Sequence, residues 1–129
     1  MKRLAKISSA TLEIKERGIL NFWIHVDYEE GGSQGIGGLA LDTYDKEKKK
    51  RIGTVYGCEM IRRLLLTLKV DDFSEMRNKI IWVIGGGDEF LFKPTGIQTL
   101  NVNNSGNADN NPLIFADILE EFKDKTNNG

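Results

Sequence analysis

The stretch Gly53-Thr-Val-Tyr-Gly-Cys-Glu-Met-Ile-Arg-Arg-Leu-Leu-Leu-Thr-Leu-Lys-Val70 has the clearest helical period in this sequence of 129 residues. Its apolar residues recur at steps of three and four positions, which is typical of a helix with one buried face; they are Val55, Cys58, Ile61, Leu64, Leu65 and Leu68. Thr54 is a suitable N-cap, because its hydroxyl can accept from an amide of the first turn. We therefore predict a helix over 54–69 that buries this face, Cys58 included.

The composition limits the classes of protein and site that the chain can form. With 40% hydrophobic residues, the chain has the size of one domain, which we place at 1–125 with a frayed tail at 126–129. Its 18 basic and 19 acidic residues nearly cancel, so no overall field attracts nucleic acid or an anionic membrane. One cysteine and one histidine are too few for a zinc site, and no segment approaches the roughly 20 apolar residues of a membrane span. We expect a cytoplasmic protein with no metal and no cofactor.

Two strands are predicted before the helix by strict alternation of apolar and polar residues, over 10–15 and 20–28. They form a hairpin around a turn at 16–18. The first face of the second strand is core, whereas its second face carries Trp23 and His25. Either a later helix covers this second face, or Trp23 and His25 contact a partner, for which a large rigid indole is well suited.

Five glycines lie between residues 31 and 38, ahead of a third predicted strand at 39–42. Gly35, Gly37 and Ala40 match the spacing of a dinucleotide-binding fingerprint, but that fingerprint requires a helix directly after the glycines, and here an extended segment follows. Two interpretations of the glycines remain open. They form a hairpin loop, or they belong to a strand whose missing side chains admit another backbone or a flat ligand.

Residues 43–51 are dense in charge and are predicted to form a solvated loop directly before the helix. The unpaired amides and the dipole of a helix N-terminus favour an anion at this point. One hypothesis is therefore a phosphate or nucleotide site, to which Arg62 and Arg63 contribute if they face it. Its residues would be Gly35, Gly37, Gly38, Lys49, Lys50, Arg51 and Thr54.

After the helix, the sequence predicts a short capped turn at 71–77 and a strand at 79–84 that is apolar on both faces and hence buried on both. A last edge strand at 97–102 leads into an asparagine-rich mobile loop at 101–111. Pro112 then starts a C-terminal helix with an acidic side formed by Asp117, Glu120 and Glu121. The predicted fold class is α+β: an antiparallel sheet of about five strands packed against the central helix (54–69), with a C-terminal helix beside it.

The residues that could carry catalysis do not form a recognisable set. Cys58 would need His25 as its base, and the adjacent carboxylates are not tied to a pocket. We therefore expect no enzymatic activity. Trp23, Tyr28 and Trp82 could stack bases of a single strand, although the balanced charge argues against nucleic acid. The acidic last helix and the basic loop suggest instead self-association into a homo-oligomer, or docking onto a charged protein surface.

Three segments carry a resemblance: GILNF at 18–22, GSQGIGGLALDTYD at 32–45 and RIGTVYGCEMIRR at 51–63. Over about residues 7–84 the chain resembles a family of small uncharacterised proteins from phage and prophage early regions. The resemblance implies a phage or mobile-element origin, and it brings no site residues. Small early phage proteins often act by binding, either to a host defence protein or to a nucleotide signal.

We therefore expect a non-enzymatic binding protein that inhibits a host defence protein, in an anti-CRISPR-like or other anti-defence role. The expected contact surface consists of Trp23, His25, Asp117, Glu120 and Glu121. The alternatives are a sponge that sequesters a nucleotide signalling molecule at the hypothetical phosphate site, and a module that binds single-stranded nucleic acid.

Overall fold

A computed structural model describes residues 1–15, 17–87, 91–100 and 112–122. Two helices lie within these ranges, α1 (Val55–Leu68) and α2 (Phe115–Phe122), together with a 3-10 turn at Phe73–Met76. The strands are β1 (Lys2–Lys15), β2 (Ile19–Tyr28), β3 (Ser33–Ala40), β4 (Asp42–Asp45), β5 (Lys50–Gly53), β6 (Ile80–Gly86), β7 (Lys93–Thr99) and β8 (Leu113–Ile114). Neither described helix has the length and apolar content that crossing a bilayer requires.

Six of the strands form one sheet in the order β3-β2-β1-β6-β7-β8, and every neighbouring pair is antiparallel. Both helices contribute to a core cluster on one face of this sheet, where Phe22 of β2 meets Phe115 of α2 edge to face at 5.8 Å. The predicted α+β class, with an antiparallel sheet, a central helix and a C-terminal helix, is therefore confirmed. The sheet has six strands where about five were predicted.

The sheet is strongly curved, so that strands far apart in its order come close together. Gln34 of β3 donates from Nε2 to the carbonyl oxygen of Phe92, directly before β7, at 3.1 Å. Gly37 and Leu39 of β3 also line a cavity of about 250 Å³ with Pro94 of β7 and with residues of α2. The curvature encloses the core side of the sheet and turns the opposite side outward; we call this opposite side the outer face.

Strand β1 is much longer than predicted, since it begins at Lys2 rather than at residue 10. Its register against β2 shifts between Ile7 and Ser9, which identifies a β-bulge. Because of this bulge, Ile7 and Ala10 both face the core, whereas strict alternation would have placed them on opposite faces. The mixed polar pattern of the first ten residues is the consequence.

The helix α1 has the predicted limits, and its buried face is the predicted one only in part. Thr54 caps it by accepting from the amide of Gly57 at 3.0 Å. Its buried residues are Gly57, Met60, Leu64 and Leu68. The prediction that Val55 and Cys58 are buried is wrong: Val55 is 43% exposed, and Cys58 is exposed.

Three further predictions on strands require correction. The charged segment 43–51 is not a loop, because β4 and β5 pair there as a separate two-stranded hairpin. Strand β6 is fully buried on one face only, since Ile80 on its other face is 50% exposed. Strand β7 begins at Lys93, pairs on both sides and is therefore internal, while β8 occupies the start of the segment predicted as the last helix. The predictions for the loop at 101–111 and the tail at 126–129 lie outside the described residues.

Candidate functional site

The candidate site is a groove on the outer face, formed by the hairpin of β1 and β2. The register places Thr11 opposite Trp23, and Ser9 opposite His25, so all four side chains point away from the core. The groove has a volume of about 590 Å³. We call it the outer groove; its lining residues are Ser9, Thr11, Glu13, Lys15, Ile19, Asn21, Trp23 and His25.

The wall of the outer groove is built by Trp23 lying against the glycines of β3. A Cβ atom at Gly35 would lie 3.2 Å from the indole of Trp23, and one at Gly38 would lie only 2.5 Å from it. Of the two interpretations of the glycine segment, the strand is therefore the one observed, and the flat group that it admits is the protein's own indole. The imidazole of His25 continues this wall, with its centroid 6.0 Å from the indole and an interplanar angle of 20°.

The floor and the far end of the outer groove are polar but carry no net charge. Lys15 and Glu13 form an ion pair at 3.5 Å, so neither charge stands alone. The side-chain oxygen Oδ1 of Asn21 is buried and has no hydrogen-bond partner among the described residues. The groove thus offers two aromatic rings and two hydroxyl groups, a set that fits a neutral partner with hydrogen-bonding groups of its own.

The basic residues before α1 differ in their surroundings: Arg51 is bound within the fold, whereas Lys49 and Lys50 face the solvent. Arg51 is bound to Asp42 across the β4–β5 hairpin: its Nε donates to Oδ2 at 3.0 Å, and its Nη2 donates to Oδ1 at 2.7 Å. These hydrogen bonds lower the pKa of the Asp42 carboxyl below its usual value. Lys49 and Lys50 are exposed at the hairpin. Asp45 shapes its turn by accepting from the backbone amides of residues 47 and 48.

The N-terminus of α1 is packed against the end of β3 and the residue that follows it. Thr54 is buried, and its hydroxyl donates to the carbonyl oxygen of Leu41 at 2.7 Å while it accepts from Gly57. A Cβ atom at Gly57 would lie 1.9 Å from that same carbonyl oxygen. The hydroxyl of Tyr56 donates to the carbonyl oxygen of Ala40. The start of the helix is therefore joined to the sheet by backbone contacts and hydrogen bonds.

These contacts show where the residues of the hypothetical phosphate site lie. Arg51 and Thr54 are engaged within the fold, and Gly35 and Gly38 lie beneath Trp23. A Cβ atom at Gly37 would meet Phe22 on the opposite, core side. Arg62 and Arg63 do not turn toward the basic hairpin, since both bind Glu59, at 3.6 Å and 2.5 Å. Nothing in the structure tests whether Lys49 and Lys50 bind an anion, and that hypothesis stays a prediction.

The predicted partner-binding residues separate into two surfaces. Trp23 and His25 lie together on the outer face. Asp117, Glu120 and Glu121 belong to α2, which packs on the core side of the sheet. Glu121 is in addition ion-paired with Arg63 of α1 at 3.5 Å. One flat partner surface cannot cover both sets, because the sheet stands between them.

The structure also separates the residues considered for chemistry. Cys58 is exposed on α1, on the core side of the sheet, whereas His25 is on the outer face. Tyr28 is buried and points to the core side, the face opposite to Trp23. Among the described residues, no group of three or more His, Cys, Asp or Glu side chains is placed to hold a metal ion.

The other residues of the outer groove were not singled out from the sequence. The alternation of β2 places Asn21 on the face of Trp23 and His25, whereas only the pairing register of β1 with β2 places Ser9 and Thr11 beside them. The available signal was the hairpin itself: a turn at 16–18 between two alternating strands brings residues 9–13 opposite residues 21–25.

The fold and the groove together define the class of the protein as an α+β domain with a curved antiparallel sheet and an uncovered aromatic groove. No family model, no curated protein and no solved structure matches the chain.

Proposed function

We propose that this chain is a non-enzymatic binding protein that recognises a protein partner through the outer groove. The observation that carries the proposal is the pair of parallel rings of Trp23 and His25 at the wall of an open groove that neither described helix covers. A rigid indole held in place by its own strand is the kind of anchor on which protein interfaces concentrate their binding energy.

The polar lining of the outer groove supports a protein partner over a charged ligand. The charges of Lys15 and Glu13 in this lining pair with each other, and the polar groups that face a partner are the hydroxyls of Ser9 and Thr11. Such groups match the amides and hydroxyls of a polypeptide surface. A nucleotide would need cations or free amides for its phosphates, and Arg51 and Thr54 already have partners within the fold.

The identity of the partner rests on the resemblance to phage early-region proteins. Small proteins of that class act early in infection, when host defence systems are the main obstacle to replication. The proposed partner is therefore a bacterial defence protein, which this chain inhibits by occupying a surface that the defence protein needs.

The test is purification of the tagged chain from its bacterial host, followed by native mass spectrometry and a measurement of affinity for the partner that it retains. We expect a retained host protein that is lost with Trp23→Ala and with His25→Ala. The matched control is Tyr44→Ala, which removes an exposed aromatic residue of β4 outside the groove and should leave binding unchanged.

Folding of each variant is checked by circular dichroism and by its melting temperature, and His25→Ala is the more informative variant because its side chain is exposed. A partner that binds the two groove variants as tightly as the wild type would refute the proposal. A retained small molecule that disappears when Lys49, Lys50 and Arg51 are replaced by alanine would instead establish the nucleotide sponge.

A further inference from the structure

A second surface on the outer face is apolar, although a sheet face open to water is normally polar. Strand β6 buries Ile81 and Val83 on the core side, yet its opposite side also carries large apolar residues, of which Ile80 is 50% exposed. A strand with one wet face would show polar residues there, as β1 does at Ser9 and Thr11. The pattern of β6 is that of a strand with both faces covered.

The pairing register joins these side chains into one surface. Leu4 of β1 lies directly opposite Trp82 of β6, and both point outward. We call the set the β6 patch; it consists of Leu4, Ile80, Trp82 and Ile84. Contiguous apolar surface of this kind, bordered by polar residues, marks an interaction site in soluble proteins.

The border of the β6 patch carries charges of both signs. Lys2 is paired with Ile84 in the sheet, and its Nζ lies 5.8 Å from the centre of the Trp82 ring. Lys6 lies beside Asp27 of β2 on the outer face. At the end of β2, Glu29 and Glu30 line a cavity of about 170 Å³ together with Lys2, Arg3 and Trp82.

This charge pattern selects the occupant. A partner with a surface of one sign would leave either the lysines or the carboxylates facing a like charge. A second copy of the same chain, related by a two-fold axis, offers both signs together with an identical apolar centre. We propose that the β6 patch is the interface of a symmetric homodimer.

The size of the patch sets the strength expected of the dimer. A standard interface buries about 800 Å² on each partner, and Leu4, Trp82 and Ile84 are already partly buried in the monomer, so the four apolar residues form only the centre. The charged border must be buried as well, which predicts a weak dimer that dissociates on dilution. The outer groove stays accessible in it, since Leu4 and Thr11 are about 23 Å apart along β1 at the rise of a strand. The dimer is therefore independent of the proposed groove function.

Sedimentation velocity of the full chain tests the inference, at concentrations from about 1 to about 500 µM, where weak association becomes visible. We expect the mass to rise from that of the 14.5 kDa chain to twice this value. Ile80→Glu places a charge in the centre of the patch and should hold the protein monomeric across the whole range. Ile80→Ser is the second variant, should the glutamate prevent folding.

Leu66→Glu is the matched control, because Leu66 is 58% exposed but belongs to α1 on the core side. It should dimerise like the wild type. A wild-type chain that stays monomeric up to the highest concentration would overturn the inference. A dimer that persists in folded Ile80→Glu and Ile80→Ser variants would also overturn the inference. The same holds for a dimer that is abolished by Leu66→Glu.

Discussion

Trp23 and Gly38 illustrate how single residues form the outer groove. The indole lies flat over β3 because Gly38 has no side chain, and Gly38 has a φ of 72°, a conformation that L residues rarely adopt. Gly38→Ala would place a Cβ atom 2.5 Å from the ring, so the indole would have to leave its position over β3. We expect a loss of about 1–3 kcal/mol in the free energy of unfolding, measured with urea.

The control for this prediction is Gly53→Ala, at a glycine with no heavy atom within 4 Å of the added Cβ and no positive φ. It should change the stability by less than about 0.5 kcal/mol. Equal effects of the two substitutions would mean that the indole does not depend on the glycine backbone.

Asp42 gives the protein a predictable dependence on pH. Its pKa is lowered in the folded state by the hydrogen bonds from Arg51, so its stabilising effect is complete above the pKa of the unfolded chain, about 3.9. The effect is lost as the pH falls through the lower pKa of the folded state. Asp42→Asn should therefore unfold at lower urea than the wild type at pH 7, and the difference should shrink as the pH falls below about 4.

The measurement is a series of urea titrations between neutral and strongly acidic pH. Glu30→Gln, at an exposed carboxylate, is the control and should stay within about 0.5 kcal/mol of the wild type at pH 7. A difference between Asp42→Asn and the wild type that stays constant through the acid range would show that the ion pair with Arg51 does not form.

At the scale of elements, the helix α1 is oriented by its smallest residue. The substitution Gly57→Ala normally stabilises a helix by about 1 kcal/mol. Here the added Cβ would lie 1.9 Å from the Leu41 carbonyl oxygen, so the helix must move away from the sheet. We expect a net destabilisation of about 2–4 kcal/mol, followed by far-UV circular dichroism in urea.

Arg62→Ala is the control for Gly57→Ala, since Arg62 is exposed on the same helix and makes a long ion pair with Glu59. It should change the stability by at most about 0.5 kcal/mol. A Gly57→Ala variant as stable as the wild type would contradict the close contact between helix and strand.

The close contact between Gly57 and Leu41 explains why only part of α1 could be predicted from the sequence. Its limits were predictable, because the Thr54 cap and the helical period are local signals. Its buried face was predictable only in part: Leu64 and Leu68 are buried as the period indicates, but the period also counts Val55 and Cys58 as core residues and ignores a glycine. Close packing at Gly57 turns the helix so that Gly57 and Met60 face the sheet in their place.

The β4–β5 hairpin was missed for a related reason. Its sequence is charged, and charge is the usual mark of a loop. The hairpin forms because Asp45 caps its turn and because Arg51 pairs with Asp42 across the strands. Neither contact is visible in a hydrophobic pattern.

At the scale of the whole molecule, the strand order and the curvature of the sheet exceed what periodicity can predict. Contacts between residues far apart in sequence decide the strand order and the curvature. The hydrogen bond from Gln34 to Phe92, which are 58 residues apart, is one such contact. The outer groove shows the same limit: the alternation of β2 places Asn21, Trp23 and His25 on one face, whereas the positions of Ser9 and Thr11 depend on the register of β1 with β2, and the glycine wall depends on the position of β3.

The side-chain amide of Gln34 joins β3 to the residue that precedes β7, and its removal tests the curvature. Its Oε1 accepts from the hydroxyl of Tyr28, and its Nε2 donates to the carbonyl oxygen of Phe92. Gln34→Ala leaves both groups without this partner, which should destabilise the fold by about 1–3 kcal/mol. Amide hydrogen exchange should become faster in β3 and at the start of β7 before it changes in β1. The control is Ser33→Ala on the same strand as Gln34. It removes an exposed hydrogen bond to Asp27 of β2 and should leave this exchange pattern unchanged. If amide exchange in the Gln34→Ala variant became faster in all strands alike, the sheet would open as one unit, and this amide would not be what holds β3 to the start of β7.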